Sequence, residues 1–161
     1  VFNEWFDIRK EYYRLRIERK KVLHEIALVR LTNIHRLLLE KVDLRRSHED
    51  AIKLLENMKF DKFDLTEWSN VRSIPTSEIC SRVLGDKASY KYLFDVTIGD
   101  MLAEKSTRRQ RAIDNEQRQL DKYRNITIAD LWLSELELLM NNIRRGMTTS
   151  WKYDRNEMEY V

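Results

Sequence analysis

The sequence predicts a mainly α fold drawn out into an arm, and three observations carry that prediction. The run from Asn3 to Asp43 holds no Gly or Pro, and at about 1.5 Å of rise per residue it makes one rod of roughly 60 Å. Only three Gly and one Pro occur in 161 residues, so tight turns are scarce. Apolar residues at 42% beside charged residues at 35% give the balance of long helices rather than of a sandwich or barrel. The length suits about one domain. Together these point to a long antiparallel two-helix coiled-coil arm, a small and mostly helical globular knob, and a further helix after it.

The first arm helix occupies residues 1–43. Its apolar stripe runs through Trp5, Ile8, Tyr12, Leu15, Val22, Ile26 and Val29, then through Leu31, Ile34, Leu38 and Val42 after a small phase shift. The other face carries Arg9, Lys10, Arg14, Arg16, Arg19, Lys20 and Lys21. A lone copy would leave its apolar seam in water, so a partner helix is required.

Residues 44–102 form the knob. Ser47 and Asp50 have the form of a capping box, opening a helix from His48 to Lys59 that buries Ile52, Leu55 and Met58. Phe60 to Ile74, with Phe63, Leu65 and Trp68 among polar residues, is expected to be loop. Pro75 precedes a helix from Thr76 to Leu84, closed by Gly85 where a left-handed cap is easiest. The chain turns apolar again at Tyr92, Leu93, Phe94, Val96, Ile98, Met101 and Leu102.

Residues 103–125 are helix formers with a narrow stripe of Ala112, Ile113, Leu120 and Tyr123, enough to touch one neighbour. The first helix is that neighbour, and a globular piece between them makes the pair antiparallel. Thr127 and Asp130 offer a second capping box for a helix over 126–146, with Leu131, Trp132, Leu136, Leu139 and Ile143 as its buried face. Residues 147–161 show no clear period and are left unassigned.

Composition excludes several classes. A net charge of +3 does not by itself make a nucleic-acid binder. Cys80 is the sole cysteine, which rules out an internal disulfide, fits a reducing compartment and reads as a small core residue. No window approaches the roughly eighteen apolar residues of a membrane span, and no secretory-signal pattern opens the chain, so no membrane partner is expected. The chain starts at Val1 without an initiator Met and reads as a piece of a larger protein. His24, His35 and His48 lack Cys or carboxylate partners at ligand spacing, and no metal site is expected. The tyrosines read as packing residues.

Several stretches resemble the arm and exit gate of the type IIA DNA topoisomerases. Trp5-Phe6-Asp7-Ile8-Arg9-Lys10-Glu11-Tyr12-Tyr13 is similar to that family's aromatic-Phe-Asp-aliphatic-Arg-x-x-Tyr-Tyr opening of the arm. Asn33, Arg36, Leu39, Glu40 and Asp43 fall, without a gap, where the eukaryotic-type enzymes have the same residues. Tyr92-Leu93-Phe94-Asp95-Val96 resembles a Tyr-Leu-Leu-Asp-Met segment, and Asp130-Leu131-Trp132 an Asp-Leu-Trp at the same distance downstream. The resemblance covers about 2–43 and 90–137 and fades over 44–89 and 147–161. Thr97-Ile98-Gly99 stands where the family often has Pro-Leu-Trp, Asp43-Leu44 replaces an Asp-Gly turn, and the region from Phe60 to Gly85 replaces an acidic insertion. These departures imply a divergent source, such as a virus, a phage or a protist.

The resemblance implies a role as the exit-gate dimerisation module of an ATP-dependent enzyme that passes one DNA duplex through another, in an intracellular setting: the nucleus for a eukaryote, the host cell interior for a virus or phage. It places the homodimer interface at Tyr92, Leu93, Phe94, Val96, Ile98, Met101 and Leu102. ATP and Mg2+ belong to the parent enzyme. The family's catalytic Arg-Tyr pair, its Asp-x-Asp arrangement and a Gly-rich phosphate loop are absent from this sequence, so the fragment alone is expected to be inactive and to hold no cofactor. Arg9, Lys10, Arg14, Lys21, Arg108, Arg109 and Arg111 are candidates for DNA-phosphate contact, with a plain solvated face as the blander reading, since Glu11, Glu18, Asp114 and Glu116 intervene. Two other classes stand beside the gate: a coiled-coil scaffold without topological function, and a DNA-binding domain proper.

Overall fold

The computed structural model describes residues 2–144, apart from the side chains of Phe2, Asn3, Ile98, Met101 and Ala103. The unassigned stretch 147–161 and the expected helix end at Gly146 lie outside the described residues. Among the described residues there are seven α-helices: α1 (Phe2–Leu39), α2 (His48–Asn57), α3 (Leu65–Ser69), α4 (Ile79–Val83), α5 (Lys91–Phe94), α6 (Ala103–Asn125) and α7 (Ile128–Arg144). The only strand-like pairing described is one antiparallel bridge between Phe63 and Ser89.

The 38-residue α1 organises the molecule. It stops short of Asp43 because Lys41 takes a positive φ of 49°, and Val42 N–H donates back to the Leu37 carbonyl at 3.2 Å. That is the six-to-one closure a glycine usually supplies. α2 ends in the same way: Lys59 has φ 56° and Phe60 N–H reaches the Leu55 carbonyl at 3.0 Å. A lysine in this conformation gives no sequence signal, so both helix ends are displaced from expectation.

α6 runs antiparallel to α1, and α7 packs beside its first turns. Beside the middle of α1, His24 Nδ1 meets Glu116 Oε2 at 2.6 Å and Arg124 donates to Glu25 at 2.6 Å. Beside its first turns, Trp132 of α7 sits 6.0 Å from Trp5, 5.3 Å from Phe6 and 5.5 Å from Tyr13, ring centre to ring centre. Tyr13 donates to Glu135 at 2.7 Å. Burial lifts the Tyr13 phenol to a pKa of about 12, helped by that carboxylate.

The buried face of α1 differs from the expected stripe. Trp5, Ile8 and Val29 are exposed, while Tyr13, Ile17, Arg19, Ile26, Asn33 and Leu37 are buried. The cause is that α1 is covered from two sides. The knob lies along its distal half, and its core of Leu55, Phe63, Ile79, Val83, Tyr92 and Leu93 packs on Ile26 and Leu37. Arg19, expected on the solvated face, reaches into the knob and donates to the carbonyls of Ile74 (2.8 Å), Val71 (2.9 Å) and Arg72 (3.2 Å).

Within the knob, Ser47 caps α2, its hydroxyl accepting from Asp50 N–H at 3.2 Å and donating to the Asp50 carboxylate at 2.6 Å, which is half of the expected capping box; the full box forms at Thr127, at the start of α7. The stretch 60–74 is not simple loop. Asp64 caps α3 by accepting from Thr66 and Glu67 N–H, Val71–Ser73 is a 3-10 turn, and Phe60, Phe63 and Ile74 are core residues. The expected helix over 76–84 is split into a 3-10 turn, Thr76–Glu78, and α4. Gly85 is not left-handed; it is accommodated because a Cβ there would collide with the Ser81 carbonyl. Cys80 is exposed rather than core, since Ile79 and Val83, one helical turn apart, take the inward face of α4. In α7 only Leu131 of the expected face is buried, while Leu136 and Ile143 are exposed.

Candidate dimerisation surface at the distal end of the arm

Three polar side chains fix the knob on α1. Asn33 Nδ2 donates to Asp61 Oδ2 at 3.0 Å and to the Tyr92 hydroxyl at 3.1 Å, and that hydroxyl donates to the Asp61 carbonyl at 2.8 Å. Burial pushes the Tyr92 phenol well above its ordinary pKa, with the Asn33 bond opposing in part. Arg36 donates to the Met58 carbonyl at 2.9 Å and lies 4.6 Å over the Phe60 ring; Glu40 holds the same guanidinium at 2.9 Å. Asn33, Arg36 and Glu40 therefore act as a clamp between arm and knob.

Next to this clamp a groove of about 1060 Å³ opens between the end of α1, the loop after it, α5 and the start of α6. Leu38, Leu39, Val42, Leu44, Phe94 and Val96 line it, together with His35, Lys41, Asp43, Arg45 and Arg109. Leu39 is 63% exposed, and nearby Leu102 in the chain leading to α6 is 59% exposed.

The seven expected interface residues divide. Tyr92 and Leu93 are 3% and 1% exposed and belong to the knob's own core, where they hold Phe94 and Val96 from beneath. Phe94 is half-buried, with its ring 5.4 Å from His48. Leu102 faces solvent. The Ile98 and Met101 side chains lie outside the described residues. Leu39, Val42 and Leu44 share the groove and are not expected surface residues from the sequence, which places Val42 on a helical stripe that Lys41 in fact terminates.

The candidate phosphate-binding cations do not form one patch. Arg9 lies 5.4 Å over the rings of Tyr12 and Tyr13, and Arg14 is held by Glu11 and Glu18 at 2.6 Å each. Lys10 is exposed on the first turns of α1 and Lys21 is half-buried further along. Arg108, Arg109 and Arg111 sit near the start of α6, at the other end of the molecule.

The residues present do not fit a divalent ion. Among the described residues no three His, Cys, Asp or Glu side chains converge. The groove's own carboxylate, Asp43, accepts from Arg45 N–H at 2.9 Å; in the adjoining cleft Asp95 is engaged by Lys91 at 2.8 Å, and Asp100 by the Thr97 hydroxyl at 2.7 Å and Lys105 at 3.0 Å. The Thr97 hydroxyl and N–H, then Lys105, hold Asp100 well below the usual carboxylate pKa. No described helix is long and apolar enough to cross a membrane.

The groove lies beside an antiparallel helical arm, and comparison with known proteins gives this all-helical fold a relative. No family model matches the chain. The chain is 24% identical over 163 residues to DNA topoisomerase 2 of African swine fever virus (isolate Tick/Malawi/Lil 20-1/1983), an alignment covering 95% of this chain and 14% of the viral protein. Against DNA topoisomerase 2-beta of Gallus gallus identity is 22% over 160 residues, covering 90% of this chain and 10% of the relative. Against DNA topoisomerase 2-alpha of Cricetulus griseus it is 21% over 157 residues, covering 89% and 10%. The chain is thus distantly homologous to a short region of type II DNA topoisomerases, spanning about one seventh of the viral relative's length and one tenth of the vertebrate ones.

Proposed function

We propose that this chain is the exit-gate module of a type II DNA topoisomerase, pairing two copies through the distal groove and parting them to release a transported duplex. The observation that carries the reading is the apolar groove at the far end of an antiparallel arm, in a chain distantly homologous to those enzymes. The interface consists of Phe94, Val96, Leu39, Leu44 and Leu102, with Tyr92 and Leu93 as its support. Ile98 and Met101, which adjoin it in the chain, belong to the same surface.

Five apolar side chains at ~1.5–3 kcal/mol each, if fully buried, give on the order of 7–15 kcal/mol per subunit as an upper bound. Association itself costs an estimated ~4–15 kcal/mol. The surplus is small, as suits a contact that must hold and also open. Catalysis, ATP and Mg2+ belong to other parts of the parent enzyme, which acts on double-stranded DNA inside the cell. The module alone has no cleavage activity.

The exposed apolar residues at the other end, Trp5, Phe6, Leu133, Leu136 and Ile143, are the surface by which the arm joins the enzyme body. Sedimentation velocity tests the reading: the 161-residue chain sediments as a dimer, and Phe94→Asp shifts it to monomer without loss of helicity. A chain that stays monomeric at high concentration, or a dimer indifferent to Phe94→Asp, refutes the gate and favours a scaffold that binds a different helical protein.

A further inference from the structure

A second cleft, of about 520 Å³, lies between α1, α5 and α6 and shares Val96 and Arg109 with the groove. Four cations line it: Arg30 from α1, and Lys105, Arg108 and Arg109 from α6. Two carboxylates, Asp95 and Asp100, line it too, but Lys91 and the Thr97–Lys105 pair already occupy them.

Among the described residues, Arg30, Arg108 and Arg109 have no counter-ion. Arg30 and Arg109 each carry a buried Nε with no hydrogen-bond partner, and burial lowers the pKa of Arg30, against a weaker opposing influence from Tyr92. A guanidinium offers five N–H donors in a planar fork matched to phosphate and carboxylate oxygens. Arg30 and Arg109 are half-buried, and their orphaned Nε donors at a concave site call for an acceptor.

We infer that this cleft is a phosphate-binding site, in which Arg30 and Arg109 hold the oxyanion and Arg108 screens its outer charge. Asp95 and Asp100 narrow the choice: their remaining negative charge repels a second anionic group, so a single phosphate seated on the two arginines is the fit, either of a nucleic-acid backbone or of a free phosphate compound. Arg30 sits on α1 and Arg109 on α6, so a bound phosphate bridges the two helices of the arm. Arg109 also lines the groove, so the two sites adjoin, but phosphate binding here does not require that the groove pair two copies.

The test is a titration of the 161-residue chain with inorganic phosphate at fixed ionic strength, read from the arginine Nε–Hε resonances by NMR. Saturable shifts confined to Arg30 and Arg109 are expected. Arg30→Met and Arg109→Met should each weaken binding by about tenfold or more. Arg30→Met should leave the melting temperature without phosphate unchanged or higher, because it removes a half-buried guanidinium whose Nε lacks a partner among the described residues, and this separates lost binding from lost fold. Displacement of the phosphate by a short DNA duplex assigns the site to a nucleic-acid backbone, and binding that a duplex does not displace assigns it to a free phosphate compound. The inference is overturned by shifts that do not saturate, by an equal response to chloride, or by binding that survives both substitutions.

Discussion

The two halves of α1 are held by different physics. The basal half meets α7 through aromatic rings, with Trp132 surrounded by Trp5, Phe6 and Tyr13. The distal half turns its apolar side to the knob, through Ile26 and Leu37. What it shares with α6 includes charged and polar pairs, His24 with Glu116 and Arg124 with Glu25, around the buried Leu120. Exposed or half-exposed pairs are each worth little. The comparison teaches that rings close the basal half and the knob's apolar core closes the distal half, while α6 adds polar pairs around Leu120.

Breaking the basal seam should have the largest effect. Trp132→Ala is expected to cost about 3 kcal/mol in urea unfolding, the low end for an aromatic core residue because Trp132 is only half-buried. A value near zero would mean that α7 does not contribute to the arm.

High pH probes the same seam without a cavity. The Tyr13 pKa is raised to about 12 in the fold against about 10 in the unfolded chain. Its contribution is therefore complete below pH ~10 and fades as pH rises toward ~12, by up to about 2–3 kcal/mol. Tyr13→Phe should flatten that part of the stability profile, as measured by denaturant midpoints at stepped pH; an unchanged slope would contradict the placement of this phenol.

Arg19 sharpens the distal half. Arg19→Met should cost about 2 kcal/mol, since it strands the carbonyls of Ile74 and Val71. Hydrogen exchange should rise first in residues 71–76. Glu116→Gln, which touches only the α1–α6 seam, should change stability by less than about 1 kcal/mol.

Much of this was legible in the sequence, and the misses share causes. Periodicity found the helices that pair over a long distance, and the Ser47 and Thr127 caps marked two starts correctly. Helix ends were missed where Lys41 and Lys59 took the left-handed position of a glycine. Arg19 was placed on the solvated face because charge alone does not reveal that carbonyls wait for it in a segment 52 to 55 residues later. The aromatic residues over 60–74 belonged to the core, and their irregular spacing reflects short turns capped by Asp64 rather than open loop. Of the candidate interface, Phe94 and Val96 were readable as apolar, but which residues of an apolar run face inward was not, as Tyr92 and Leu93 illustrate.

The most direct test of the central claim uses a short bismaleimide cross-linker on a Cys80→Ser background, with one new cysteine at the distal groove, Leu39→Cys, or at the base, Ile8→Cys. The gate predicts rapid, concentration-dependent cross-linking of two copies through position 39 and little through position 8. Cross-linking through the base alone, or none at the groove, would contradict it.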